Sequence, residues 1–345
     1  MNEPQLNLEE LRGTIREVLA AEATPQHMHK LFDTGETRDR SFEKVMANLG
    51  WPVIGIAEAQ GGLGLGLAGL AVLYEELGRV PVALPVLPTQ LVAAALQQRR
   101  SANPDPVLDA IARGEISAAW VEPSAALASD TGRLEGEARH ILGLGDADVL
   151  LVSIDEERAA IVKADAAGVE IQRRQAVDFT RSLGDVRFTG VDVSPFPVAA
   201  APLRRHAWLG IASDCIGGAE SILERTVEYM KVRVQFDQPI GAFQALKHRA
   251  ANLQLTLEQA RGVVAEAMAE GEGTAALGLA ALAKATAADA YAAIAADAVQ
   301  LHGGIGYTWE HDCHIFLKRA QLNRHVFGSS ETLLETAAQA LVECA

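Results

Sequence analysis

The chain has 345 residues, 49% hydrophobic and 22% charged, enough apolar material for two or three globular domains with sizeable cores. A formal net charge of -15 and a pI of about 5.1 argue against a nucleic-acid surface, which needs a basic patch to offset phosphates, and against docking on anionic lipid. Residues 7–31 have helical periodicity, with Leu8, Leu11, Ile15, Val18 and Leu19 on one face. A second helix is expected over 39–49, stopped by Gly50. Trp51-Pro52-Val53-Ile54-Gly55 turns into a short extended piece, and Gly61-Gly62-Leu63-Gly64-Leu65-Gly66 is a glycine-rich loop. The next helix carries Glu75-Glu76-Leu77-Gly78-Arg79, and another is expected over 88–99. Residues 1–115 therefore read as a helical domain.

The texture changes near residue 116. Short runs around 116–121, 149–153, 160–162, 186–188 and 191–193 are separated by turns such as Asp130-Thr131-Gly132 and Gly143-Leu144-Gly145-Asp146. Short strands at regular spacing without intervening helices predict a small β-barrel or sandwich over 116–200. From 201 to 345 the chain is helical again, with helices expected over 203–233, 239–270, 274–302 and 330–343. Long helices with short connections imply an antiparallel four-helix bundle. The fold class is mainly α with a middle β domain.

Cys215, Cys313 and Cys344 show no CxxC or other metal spacing and form no even-numbered framework, so reduced thiols in a cytoplasmic protein are expected, with no disulfide and no metal site. Met1-Asn2-Glu3-Pro4 lacks the basic and apolar regions of a signal peptide. No run reaches about 18 uninterrupted apolar residues. The alanine-rich segment 275–299 comes closest, but Lys284, Asp289 and Asp297 interrupt it, as suits a tightly packed bundle helix rather than a membrane span.

Two motifs stand out. Arg233-Val234-Gln235-Phe236-Asp237-Gln238-Pro239-Ile240 is followed by Phe243-Gln244, and Gln300-Leu301-His302-Gly303-Gly304-Ile305-Gly306-Tyr307 ends the alanine-rich helix. A guanidinium matches phosphate oxygens bidentately, and paired glycines let backbone approach a ligand closely. Read alone, Arg233 is a solvated helix-end arginine and Gly303 a helix cap. Together, and with Leu49-Gly50-Trp51, Gly61-Gly62-Leu63-Gly64 and Glu75-Glu76-Leu77-Gly78-Arg79, they resemble the acyl-CoA dehydrogenase family over essentially the whole chain. That resemblance implies FAD, an acyl-CoA substrate in fatty-acid or steroid degradation, and an electron-transfer flavoprotein as redox partner. It implies that Arg233, Gln235, Phe236, Phe243, Gln244, Gln300, Leu301, His302, Gly303 and Gly304 line the pyrophosphate and adenine end of FAD across a subunit interface. Ser329 and Glu331, in Ser329-Ser330-Glu331, match the loop that touches the flavin, although Ser329 also suits a helix N-cap. The Glu75–Arg79 pattern is architectural.

The family removes an α-proton with a glutamate of raised pKa. Its two usual positions read Ala207 and Phe327 here, and neither takes a proton. The flavin-ring strands differ as well: Trp120-Val121-Glu122-Pro123-Ser124-Ala125-Ala126 replaces a threonine with Val121, and Arg139-His140-Ile141-Leu142-Gly143 places His140 and Leu142 where tryptophan and threonine are usual. This pattern resembles the non-catalytic subunit of heteromeric acyl-CoA dehydrogenases acting on steroid or other bulky thioesters. A related subunit would then supply the glutamate and the ring site. Alternatives are a self-sufficient homo-oligomeric dehydrogenase using Glu220, Glu224 or Glu310 as base, a flavin monooxygenase, or a scaffold on the same fold.

Overall fold

The computed structural model describes residues 7–99, 105–124, 126–130, 132–309 and 311–343. Of the positions named above, Met1-Asn2-Glu3-Pro4, Ala125, Thr131, Glu310 and Cys344 lie outside the described residues. Six helices come first: α1 (Leu8–Glu22), α2 (Pro25–Thr34), α3 (Arg40–Asn48), α4 (Gly66–Arg79), α5 (Val86–Gln98) and α6 (Pro106–Ala112). The periodic stretch 7–31 is thus two helices, not one. Pro25 opens α2, and proline disfavours helical backbone in the residue before it, so the chain breaks at Ala23 and Thr24. The Asp39 carboxylate accepts from the N–H groups of Ser41 and Phe42 at 3.1 and 3.0 Å and starts α3.

Eight strands follow: β1 (Ala118–Val121), β2 (Leu127–Asp130), β3 (Arg133–Leu142), β4 (Val149–Ser153), β5 (Arg158–Lys163), β6 (Val169–Arg174), β7 (Leu183–Asp192) and β8 (Phe196–Pro197). They make two open four-stranded sheets, ordered β1-β4-β5-β8 and β2-β3-β7-β6. β1 and β4 are parallel, with Ala118 opposite Val149; the other pairs in these sheets are antiparallel. Both sheets feed one core, Ala119, Val121, Leu150 and Val152 from the first and Leu134, Val186, Phe188 and Val191 from the second. Of the two expected architectures this is the sandwich. The runs 186–188 and 191–193 are halves of the single strand β7. β2, β6, β8 and the first part of β3 are additions to the expected strands, residues 139–142 being the segment that resembles a flavin-ring strand; only Leu134, Ala138 and Leu142 of β3 are buried and most of β6 faces solvent.

The last part holds α7 (Ala200–Val232), the two-residue strands β9 (Val234–Gln235) and β10 (Gln238–Pro239), then α8 (Gln244–Ala269), α9 (Thr274–His302), α10 (Cys313–Asn323) and α11 (Ser330–Glu343). α8 starts five residues later than its periodicity predicts, at Gln244 rather than 239, because Phe236 and Asp237, at φ +53° and +63°, form a tight turn joining β9 to β10. α10 is an addition to the expected helices. Its buried face carries Arg319 and Asn323 beside Ile315, Phe316 and Ala320, and polar residues at core positions erase the apolar period. The polar pair is satisfied by Asp214: Arg319 Nε and Asn323 Nδ2 donate to Asp214 Oδ2 at 3.1 and 2.7 Å, and Arg319 Nη2 donates to Asp214 Oδ1.

The chain divides into two compact units. One comprises the described residues up to Met28, Ala71–Val82 and those from Trp208 onward; the other comprises His29–Leu70 and Ala83–Ala207. In the first unit α9 is central, with α8, α10 and α11 packed on it. Among the described residues α9 and its following turn form the one helical segment long and apolar enough to cross a membrane, and 67% of its apolar window is buried in the fold. In the same unit α4 and α7 touch backbone to backbone. A Cβ on Gly78 would lie 2.1 Å from the Asp214 carbonyl oxygen, and one on Gly217 would lie 1.8 Å from that of Glu75. Gly217→Ala is therefore expected to cost about 3 kcal/mol through forced separation of the helices. Gly13→Ala, on the exposed side of α1 with open space around it, is expected to gain up to about 1 kcal/mol. Urea unfolding midpoints read both, and an unaltered midpoint for Gly217→Ala would contradict so close a crossing.

Candidate functional site

Neither glutamate position holds an acid or a usable substitute. Ala207 is fully buried. The next residue, Trp208, donates from Nε1 to the Phe327 carbonyl at 2.8 Å and so fixes the second position, where Phe327 adopts φ +56° and Gly328 φ +105°. Lys284 of α9, with no exposed surface, holds the same turn by donating from Nζ to the carbonyls of Gly328 and, at 3.5 Å, Arg324. Beside Ala207, burial first and the Arg205 charge second push His206 down to about 4. At neutral pH that ring is uncharged and a weak base.

The two described alternative bases are engaged. Arg79 bridges Glu220 and Glu224, the latter at 2.5 Å. Arg261 donates to Glu220 and Glu75, each at 2.7 Å. Glu76, 1% exposed, accepts from Arg12 at 2.8 Å and from Arg16 at 2.7 and 2.9 Å. Burial would raise its pKa, but the hydrogen bonds from Arg16 and Arg12 outweigh that and hold it below the usual carboxylate range. This is an architectural charge cluster, as the Glu75–Arg79 pattern suggested, although Glu76 is buried rather than on a helix surface.

The residues implied to grip pyrophosphate and adenine lie at one end of the first unit. Arg233 follows α7, is exposed, and forms no side-chain ion pair among the described residues. Gln235, Gln244 and Gln300 are exposed too. Phe236 is 87% exposed and meets Phe243 edge to face at 6.1 Å. Gly303 caps α9 at φ +66°, ψ -144°, backbone open only to glycine, and both Gly303 and Gly304 border open space. Leu301 and His302 point inward instead: both are buried, and His302 stacks on Tyr229 at 4.4 Å with its Nδ1 2.8 Å from the Ala298 carbonyl. An unpaired guanidinium beside exposed amides and bare glycines fits the phosphate end of a dinucleotide such as FAD.

Ser329 and Glu331 are not part of that group. Ser329 Oγ accepts from the Thr332 N–H at 3.3 Å, capping α11, and Glu331 is exposed in its first turn. Ser330 is tied to Asp289 at 3.0 Å. From Asp289 to Gly303 the helix rises about 1.5 Å per residue, about 21 Å in all, so the two groups form no single compact pocket. In the second unit the ring-side positions fit less well. Val121 faces the sandwich core, Trp120 donates to Ser153 Oγ at 3.0 Å, and Leu142 is buried. His140 sits at a register shift between β3 and β7 with φ +58°.

Sequence reasoning missed His311. Its ring lies 4.6 Å from that of His302, and Cys313 Sγ lies 3.4 Å from His302 Nδ1. Only the short spacing between His311 and Cys313 hinted at this, since His302 comes from a different helix. Burial lowers the pKa of both histidines and pushes the Cys313 thiol up to about 12.

The acyl-CoA dehydrogenase N-terminal domain matches residues 7–115 and the acyl-CoA dehydrogenase C-terminal domain residues 198–342. The chain is 33% identical over 327 residues to acyl-CoA dehydrogenase IpdE2 of Mycobacterium tuberculosis, covering 94% of each. A Tcur3481-Tcur3483 steroid ACAD variant matches with a TM-score of 0.87 at 25% identity over 98% of both chains. The ChsE4-ChsE5 complex from Mycobacterium tuberculosis matches in fold, with a TM-score of 0.88 at 23% identity over 99% of this chain and 98% of that one.

Two outcomes follow from the buried His206 and Lys284. The unfolded chain holds the His206 proton up to about 6.5 and the folded chain only up to about 4, so stability falls as pH drops through that window, by about 3 kcal/mol in total. His206→Gln is expected to flatten the dependence of melting temperature on pH there; an unchanged slope would assign it to other groups. Lys284→Met strands the turn carbonyls and is expected to lower unfolding free energy by about 2 kcal/mol in denaturant titrations.

Proposed function

The chain belongs to the acyl-CoA dehydrogenase family of flavin-dependent oxidoreductases that act on the CH–CH bond of acyl-CoA thioesters, and from that premise we propose that it is the half-site subunit of a heteromeric enzyme. It contributes the pyrophosphate and adenine grip for FAD, and a related subunit contributes the catalytic glutamate and the flavin-ring contacts. The observation that carries this reading is the absence of a free carboxylate where the family needs one: Ala207 and Phe327 occupy the two positions, and Glu220 and Glu224 are held by Arg79 and Arg261. The Tcur3481-Tcur3483 protein, similar in fold over nearly its whole length, is a steroid ACAD with a two-part name, which supports both the paired assembly and a steroid-derived or similarly bulky acyl-CoA thioester as substrate.

Bound FAD would supply the two-electron acceptor for α,β-desaturation. Within this chain Arg233 would hold the pyrophosphate, its fork meeting two phosphate oxygens. Gln300 would hydrogen-bond the adenine side while Gly303 and Gly304 let the cofactor approach the backbone. Trp208 and Lys284 would keep the Phe327–Gly328 turn fixed where it borders the shared site.

The test is purification of the full chain alone and co-expressed with a related dehydrogenase subunit, with flavin absorbance, flavin stoichiometry and acyl-CoA oxidation measured for each. Flavin retention and turnover are expected only in the co-expressed complex, and Arg233→Ala in that complex is expected to weaken flavin binding at least about tenfold, the worth of one charge-assisted contact. Full turnover and one tightly held flavin in the chain alone would establish the self-sufficient reading instead. A colourless, inactive product in both preparations would point to a scaffold.

A further inference from the structure

We propose that His302, His311 and Cys313 form a binding site for one zinc-like transition-metal ion that staples the end of α9 to the start of α10. The three side chains each offer a ligand atom, and these atoms all lie within 4.8 Å of one another. A tetrahedral ion with bonds of about 2.0–2.1 Å to nitrogen and 2.3 Å to sulfur sets its ligand atoms about 3.4–3.6 Å apart. The separation between His302 Nδ1 and Cys313 Sγ is already 3.4 Å, so the triangle is completed by a turn of the His302 ring away from the Ala298 carbonyl, which its Nδ1 faces at 2.8 Å, together with a shift of about 1 Å by the half-buried His311.

Two imidazoles and a thiolate with no carboxylate among them select zinc, cobalt or copper over magnesium or calcium. The outer contacts also suit the site. His302 is clamped in place by Tyr229. Asp312, between the other two ligands in sequence, is held by Arg225 at 2.8 Å, which fixes the backbone that presents them. On binding, the Cys313 proton leaves to solvent and the thiolate becomes the ligand. His302 coordinates through Nδ1, its proton moving to Nε2, and gives up its contact with the Ala298 carbonyl. The fourth position is left for water. The ion closes the segment 303–312, which carries Gly303, Gly304 and the exposed Tyr307 and Trp309, and binding here requires no flavin.

Cobalt(II) is the probe. The full-length chain, stripped with chelator, is titrated with cobalt chloride and then with zinc chloride. One cobalt per chain is expected, with a thiolate-to-cobalt charge-transfer band, the strong visible bands of a tetrahedral ion, displacement by zinc, and a higher melting temperature. Cys313→Ser is expected to abolish the charge-transfer band and weaken binding at least tenfold. His311→Gln, at a half-exposed position where folding is not at stake, is expected to weaken it at least tenfold with the band retained. A spectrum without the thiolate band, or affinity unchanged in both variants, would overturn the site and leave adventitious surface binding.

Discussion

The contact on which the first unit depends is the crossing of α4 and α7 through Gly78 and Gly217. With no Cβ on either side the two backbones touch, and each glycine sits against a carbonyl of the other helix. That proximity sets Glu75, Glu76 and Arg79 directly beside Glu220 and Glu224, and Arg12, Arg16 and Arg261 close the cluster from α1 and α8. Charges drawn partly out of water must be matched, and here carboxylates and guanidiniums are interleaved. The functional consequence is direct. Glu220 and Glu224, two of the carboxylates considered as alternative bases, are committed to holding helices together.

α9 supplies the second constraint. Its run of alanines lets α8, α10 and α11 approach closely, as small side chains do at helix contacts, and it places chemistry at two separated levels. Near its middle, Lys284 and Asp289 hold the turn that contains Phe327 and the start of α11. At its C-terminal end are Gln300, Gly303 and Gly304. A rigid helix between them keeps the Phe327 turn and the Gly303-Gly304 turn about 21 Å apart.

Strain is distributed in the same way. Among the described residues, the non-glycine residues with left-handed backbone are His140, Phe236, Asp237 and Phe327. Each such conformation costs about 1–3 kcal/mol and survives only where its surroundings impose it. His140 is in the segment that resembles a flavin-ring strand, Phe236 and Asp237 follow Arg233, and Phe327 occupies a glutamate position. The backbone of these segments is held in unusual form even where the side chains have changed.

Order and type of most elements were legible in the sequence, because apolar spacing at 3.6 or 2 residues reports burial directly. So was the family, through the motifs at Arg233 and at Gly303-Gly304, because a motif depends only on residue identity at fixed spacing. What escaped was decided by partners distant in the chain. α10 hides its period because Arg319 and Asn323 can be buried only once Asp214 of α7 is there to bind them. β6 shows little apolar alternation because most of its residues face solvent, and in β3 only Leu134, Ala138 and Leu142 are buried. Glu220 and Glu224 look free until α4 and α8 bring arginines to them, and His302 meets His311 and Cys313 only after the chain has turned at Gly303. Sequence by itself determined the helix–strand–helix order and the family, since these are local properties of residue type. Tertiary structure alone decided which charges are spent on packing and which remain free, since pairing depends on distances that no local pattern records.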